Sequence, residues 1–169
     1  NPKYISFAND HRIENTSFEV KDFNEICSVD GLYEGVLCLQ TLSWINGYGQ
    51  VVNNMIKLHP KWIIITSLFY DGPVDAKVKI KDYSRSMGKY NYRSSFYNIY
   101  SIDKLEEKIN KKGYRIVYKE PFIFPFDLPK TQGSGMGTYT EKISSEERIQ
   151  ISGPILMSWY TLLIKKYKH

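Results

Sequence analysis

The chain has 169 residues, 42% hydrophobic and 24% charged, which suits one domain with a sizeable core and excludes a disordered or fibrous polypeptide. The formal net charge is +5, but the lysines are scattered with no run longer than two, so the charge reads as a solvated face and argues against nucleic acid as the main partner. Two cysteines, Cys27 and Cys38, make no disulfide framework and fit a reducing, cytoplasmic compartment, and no apolar run is long enough to span a bilayer.

Taken in order, Asn1-Pro2 reads as a helix cap followed by proline at the first helical position. The spacing predicts a helix from Lys3 to about Asn9 that buries Tyr4, Ile5 and Phe7 or Ala8. Ser17–Lys21 alternates as a strand with Phe18 and Val20 inward, and Asp30-Gly31 marks a turn. Gly35–Leu39 (GVLCL) is apolar without alternation, as a strand buried on both faces requires. After a polar and aromatic turn through Gln40–Tyr48, Gly49–Leu58 places Val51, Val52, Met55, Ile56 and Leu58 near one face of a helix. His59-Pro60 stops that helix, and Trp62–Thr66 is a second buried, β-branched strand. Strand, helix and strand make a right-handed crossover in a parallel sheet, and ligands of such sheets sit outside the strand carboxyl ends.

Residues 70–93 are polar and read as a partly ordered loop, with a short extended arm through Val74, Ala76, Val78 and Ile80. Phe96–Tyr100 is a short aromatic strand. Ser101 caps the next helix, Ile102, Leu105 and Ile109 form its stripe, and Gly113 ends it. Tyr114–Phe124 is a strand. The loop 125–150 carries Gly133, Gly135 and Gly137, matches neither phosphate-binding glycine motif, and reads as a lid or hairpin tip, with Arg148–Ser152 a strand edge. Ile155–Lys165 is the last strand and pairs antiparallel with Tyr114–Phe124. The expected class is α/β, a mostly parallel sheet closed by a C-terminal antiparallel hairpin, in a single domain spanning 1–169.

Several of these segments carry a resemblance. Asn1-Pro2-Lys3-Tyr4 with Ala8, Ser17–Phe23 (SFEVKDF), Tyr33–Ile45 (YEGVLCLQTLSWI) and the closing hairpin after a Lys-rich helix resemble, in order and spacing, the class I S-adenosylmethionine-dependent methyltransferases from just after their second strand. The resemblance implies a Rossmann-like doubly wound sheet whose N-terminal strands are missing. That family's glycine-rich loop and second-strand acidic residue have no counterpart here, and both would lie before Asn1.

The same resemblance implies roles. Asp22 would accept a hydrogen bond from the adenine amino group, with Phe23 against the ring. Leu39, Gln40 and Thr41 would meet the methionine end of S-adenosylmethionine. Trp44 and Tyr48 would wall the methyl-transfer site. Read as residues alone, Asp22 equally suits a turn cap, Leu39–Thr41 a strand end, and Trp44 core packing. Asp71, Asp75 and Tyr83 in the first loop, and Tyr139 and Arg148 in the second, are candidates for holding the acceptor. No base is assigned, and three scattered histidines with two cysteines give no metal-ligand spacing.

The expected activity is methyl transfer to a small-molecule acceptor. The late loop (GTYT, SGP, WY) loosely resembles bacterial enzymes acting on sugars or polysaccharide precursors. A non-catalytic methyltransferase-like partner subunit and a basic nucleic-acid-binding or RNA-modifying module stay open as alternatives, as does a homodimer.

Overall fold

The computed structural model describes residues 2–22, 33–84, 91–130, 132 and 136–167. Helix α1 (Pro2–Asp10) is followed by β1 (Gly35–Leu39), a 3₁₀ turn (Leu42–Trp44), α2 (Gly49–Lys57) and β2 (Trp62–Ser67). Then come β3 (Phe69–Tyr70), β4 (Lys79–Asp82), β5 (Arg93–Phe96), β6 (Tyr100–Ser101), α3 (Ile102–Asn110), β7 (Tyr114–Phe122), β8 (Thr138–Lys142), β9 (Arg148–Ser152) and β10 (Trp159–Lys166).

The main sheet has four strands in the order β1-β2-β10-β7. β1 and β2 are parallel, and β10 runs antiparallel to both β2 and β7. Three strands therefore share one direction and β10 alone is reversed. The expected pairing of the strand from Tyr114 with the last strand is present. The two are separated in sequence by a second hairpin, β8 against β9, and β10 slots between β7 and β2.

Register shows how the sheet is covered. Val36, Ile63, Ile164 and Ile116 lie in one row across the strands. Cys38, Ile65 and Leu162 lie in the next row on the same face. These side chains join Val51, Val52 and Met55 of α2 and Leu105 and Ile109 of α3 in one core. Both helices therefore lie on one side of the sheet. The opposite face carries the row Leu37, Ile64, Leu163 and Tyr118, and it is only part covered: Leu37 is 59% exposed and Tyr118 49%. Burial of β1 on both faces is thus corrected. Of its five residues only Cys38 is buried, because β1 ends the sheet and its second face, covered by the Trp62 ring at Gly35, is exposed at Leu37 and Leu39.

Local chemistry explains the helices. The apolar stripes of α2 and α3 repeat at helical spacing. The Ser101 hydroxyl accepts the Lys104 N–H at 3.0 Å and donates to the Gly72 carbonyl, and Asp75 accepts the Ser101 N–H at 2.7 Å. α3 ends where Gly113 turns left-handed at φ 78. α2 ends at Lys57, and two residues on His59 turns left-handed at φ 53 before Pro60, which bars the right-handed helical region to it.

Four expectations need correction. α1 forms, but no residue of it is buried: Tyr4 is 75% exposed and Phe7 64%, since no strand among the described residues comes beneath them. Ser17–Lys21 forms no strand, and Phe18 and Val20 are exposed, because alternation without a neighbouring edge supplies no ladder. The loop 70–93 contains β4, which pairs with β5 in a hairpin, and Ala76 bridges Ile99. Phe96–Tyr100 is not one strand, since Tyr97–Ile99 lie between β5 and β6. The Asp30-Gly31 turn, Cys27, Gly133 and Gly135 lie outside the described residues.

Gly35 sits opposite Trp62 in register, and a Cβ there would come within 2.1 Å of the Trp62 ring. We expect Gly35→Ala to displace that ring at a cost of roughly 1–3 kcal/mol. The midpoint of thermal unfolding should fall by roughly 2–4 °C per kcal/mol for a chain of this size. Adding Trp62→Leu should restore most of the loss, and an additive double mutant would refute the clash.

Candidate functional site

The sheet's carboxyl end is built from the turn after β1, which leaves the strand abruptly. Gln40 is left-handed at φ 53, a conformation that a side chain with a Cβ adopts at some energetic cost. Its N–H is held by the Thr66 carbonyl at 2.9 Å and the Thr66 hydroxyl at 3.0 Å. The Thr41 hydroxyl donates to the Leu39 carbonyl at 2.9 Å, closing the strand end. The 3₁₀ turn follows, then Gly47 at φ 115 and Tyr48, from which α2 starts.

A buried polar clamp fixes this turn. The Ser43 and Ser67 hydroxyls meet at 2.7 Å, and Ser43 Oγ accepts the Leu68 N–H at 3.1 Å. Asn98, with no exposed surface, ties the turn to the chain beyond β5. Its N–H donates to the Ser43 carbonyl at 2.7 Å, its Nδ2 to the Ile45 carbonyl at 2.9 Å and to the Tyr100 hydroxyl at 3.0 Å, and its Oδ1 accepts the Val78 N–H at 3.0 Å. Tyr100 Oη also donates to the Ile45 carbonyl and accepts the Gly47 N–H at 3.2 Å. Trp44 is 37% exposed and leans on Tyr97 at 4.9 Å between ring centroids, and Tyr97 meets Trp159 edge-on at 6.0 Å. The turn is thus held rigid at its base while Trp44 faces outward.

The electrostatics here are those of neutral groups. Burial, with Asp75, Tyr100 and Glu107 nearby, pushes the Tyr48 phenol up to about 12, and burial pushes Tyr97 to about 12 and the Cys38 thiol to about 11. Tyr48 therefore stays protonated at neutral pH, with its phenol proton able to donate a hydrogen bond.

The sequence-derived candidates fall into two sets. Leu39, Gln40, Thr41, Trp44 and Tyr48 come together in this one turn. Leu39 is 54% exposed at the strand end, Gln40 is exposed, and Thr41 and Tyr48 are half-buried. The acceptor candidates are spread over separate excursions. Asp71 follows β3 and pairs with Lys119 of β7 at 2.7 Å. Asp75 holds the start of α3. Tyr83 is 68% exposed beyond β4 and contacts Tyr92 at 5.6 Å. Tyr139, half-buried on β8, lies under the Lys130 ammonium at 5.2 Å, and Arg148 at the start of β9 donates to Asp127 at 2.6 Å. Asp22 is exposed outside any strand, and Phe23 lies outside the described residues.

Asn98, Tyr97 and Ser43 were missed by the sequence reading. One signal was available: Asn98 is a polar residue inside an aromatic run, where a buried amide demands partners. A cleft of about 500 Å³ also touches Tyr48 and Asp75, but its walls are Lys104, Glu107, Lys108, Lys111 and Lys112 along α3. Lys104 and Lys111 hold the Glu107 carboxyl down to about 2. Among the described residues no group of three or more His, Cys, Asp and Glu is placed to hold a metal ion.

No protein-family model matches this sequence, and no curated protein matches it. In three dimensions it is similar to the Burkholderia thailandensis 1,6-didemethyltoxoflavin-N1-methyltransferase, solved with 1,6-didemethyltoxoflavin and S-adenosylhomocysteine. The TM-score is 0.53 at 14% identity, over 99% of this chain and 57% of that one. The chain spans little more than half the length of that neighbour, and at this identity the likeness is one of fold: a mixed α/β, methyltransferase-like architecture.

Two measurements follow from the clamp. Asn98→Leu strands the Val78 N–H, at about 1–3 kcal/mol, and leaves the Ile45 carbonyl to the Tyr100 hydroxyl alone, so chemical denaturation should show a loss of at least about 1 kcal/mol. Emission from Trp44 should shift to the red in the same variant, and a surface-like loss under 0.5 kcal/mol would refute the clamp. The second measurement is stability against pH. Cys38 titrates at 9.0 when exposed and near 11 when folded, so the unfolded chain sheds this proton first. Stability from this group is complete below pH 9.0 and lost towards about 11, with Tyr48 and Tyr97 extending the loss from 10.0 towards about 12. In a Cys27→Ser background, Cys38 should resist a thiol reagent at pH 9.0 until denaturant is added.

Proposed function

We propose that this chain forms the acceptor side of a small-molecule methyltransferase that uses S-adenosylmethionine. The observation that carries the reading is the clamped turn after β1, which sets Leu39, Gln40, Thr41, Trp44 and Tyr48 at the carboxyl end of a sheet shared in fold with a methyltransferase.

The residues present fit such a cofactor. The exposed Leu39 side chain and the left-handed, exposed Gln40 leave an apolar surface beside a polar side chain at the strand end. Leu39, Gln40 and Thr41 would hold its amino-acid end, and Asp22 and Phe23 its adenine end. When bound, the cofactor supplies a methyl group already activated for displacement. What remains for the chain is to orient and to exclude water. Trp44 and the half-buried Tyr48 would wall the acceptor, with Tyr48 donating its phenol proton as a hydrogen bond. A base is needed only where the acceptor must lose a proton, and the proposal assigns none. The hairpins β4-β5 and β8-β9, carrying Tyr83, Tyr139 and Arg148, would close over the acceptor, with Asp71 at the rim. Nothing in the described residues singles out a sugar, so the proposal stops at a small-molecule acceptor.

The test is calorimetric titration of S-adenosylhomocysteine into the protein as its coding region specifies it. We expect binding. Trp44→Ala should reduce methyl transfer more than cofactor affinity. Absence of binding would overturn the cofactor assignment and favour a non-catalytic partner subunit.

A further inference from the structure

Helix α3 and the turn that ends it carry a row of lysines on one side. Lys104 and Lys108 stand one turn apart, at about 6 Å of helix rise, and Lys111 and Lys112 continue the row in the closing turn. All four line the cleft of about 500 Å³ that Tyr48, the residue before α2, also lines. That volume is of small-molecule size. A Cβ placed on Gly49 would stand 3.6 Å from the Lys108 ammonium, so this side chain reaches from α3 to the first residue of α2.

The charge in this cleft is not balanced. Its two carboxylates, Asp75 and Glu107, face four ammonium groups. Glu107 is shared by Lys104 at 2.9 Å and Lys111 at 3.0 Å, and Asp75 accepts the Ser101 N–H. Glu106 lines a different cleft, with Ile116 and Tyr118. Lys108 and Lys112 have no carboxylate partner among the described residues. Lys104 with Lys108, and Lys108 with Lys112, are like charges four residues apart, an arrangement that costs stability unless an anion lies between them. Tyr48 adds a neutral donor, since its phenol stays protonated and its hydroxyl has no hydrogen-bond partner among the described residues.

We propose that this cleft holds a phosphate or diphosphate group of the acceptor, bound by Lys108 and Lys112 with the Tyr48 hydroxyl. The inference rests on the methyltransferase reading above and names the class of its acceptor. Ammonium groups hold phosphate as point charges, and a row of several suits a multiply charged anion better than a single carboxylate. Tyr48 belongs to both places, ending the turn after β1 and lining the cleft, so a ligand anchored here borders the proposed methyl-transfer turn. Glu107 and Asp75 in the cleft wall interrupt the charge, which suits a compact phosphate better than the continuous track that a polynucleotide backbone needs.

Calorimetric titration of sodium pyrophosphate into the protein as its coding region specifies it, at fixed ionic strength, tests this. We expect saturable binding that Lys108→Gln combined with Lys112→Gln weakens at least ~10-fold. Lys81→Gln, on the β4-β5 arm, should leave it unchanged. Neither cleft lysine has an ion pair to lose, so without ligand the unfolding midpoint of the double variant should hold or rise. Pyrophosphate should raise the midpoint of the unsubstituted protein and not that of the double variant. No saturable binding, or equal affinity in the double variant, would overturn the proposal. So would a single-stranded RNA oligonucleotide that binds more tightly than pyrophosphate, is weakened by the same variant and loses affinity steeply with salt. Pyrophosphate and S-adenosylhomocysteine should bind together, and competition between them would overturn the assignment to the acceptor. Cofactor binding without pyrophosphate binding would sink this inference alone. Pyrophosphate binding that the double variant loses, without cofactor binding, would sink the methyl-transfer reading and leave the phosphate site.

Discussion

Strand β2 is the member on which the rest of this fold depends, because it alone joins the parallel and antiparallel parts of the sheet. One edge is bonded to β1 along its whole length and the other to β10. Ile63 and Ile65 point to the helices and have essentially no exposed surface. Burying one such side chain contributes about 1.5–3 kcal/mol, so two on a doubly bonded strand outweigh any surface ion pair in the chain. The ion pairs between described residues are mostly well exposed, and they decorate the fold without holding it.

The same strand carries its order outward into the site. Ser67, its last residue, meets Ser43, and Ser43 in turn receives Leu68 and Asn98. Any movement of the turn after β1 must therefore break buried hydrogen bonds that no water replaces, at about 1–3 kcal/mol for each stranded group. That is a physical reason for the turn to be preorganised, and preorganisation is what a reaction with an activated methyl donor asks of its protein.

Much of this was legible in the sequence, and what was missed has physical causes. β1, α2, β2, α3, β7 and β10 each announce themselves by composition or by a stripe at the right period, and their bounds fall within a few residues of the expected ones. Ser101 as a cap and Gly113 as a terminator were readable because each works on its own neighbours. Ser17–Lys21 shows that a period-two pattern is only half of a strand, since the other half is a partner edge. The β4-β5 pairing was hidden because Lys79, Lys81 and Arg93 dilute the apolar signal of a two-stranded arm. Asn98 was invisible for a different reason: its partners lie some fifty residues away at Ile45 and Ser43, and no local pattern encodes such a contact. The lysines that look scattered in sequence gather on one side of α3 because helical period brings 104, 108 and 111 together.

The largest mismatch between sequence and surroundings is β1. GVLCL is written for burial on both faces, yet among the described residues it has one neighbour strand and one well-covered face. A sequence can be more apolar than its environment for two reasons, a packing error or an absent neighbour. An error would be isolated. Here the excess is coherent: it continues in register from Leu37 through Ile64 and Leu163 to Tyr118, and it stops where the Thr41 hydroxyl caps the strand end. Coherence across four strands encoded far apart in the chain sets this row apart from a single misplaced side chain, and the turn after β1 borders directly on it.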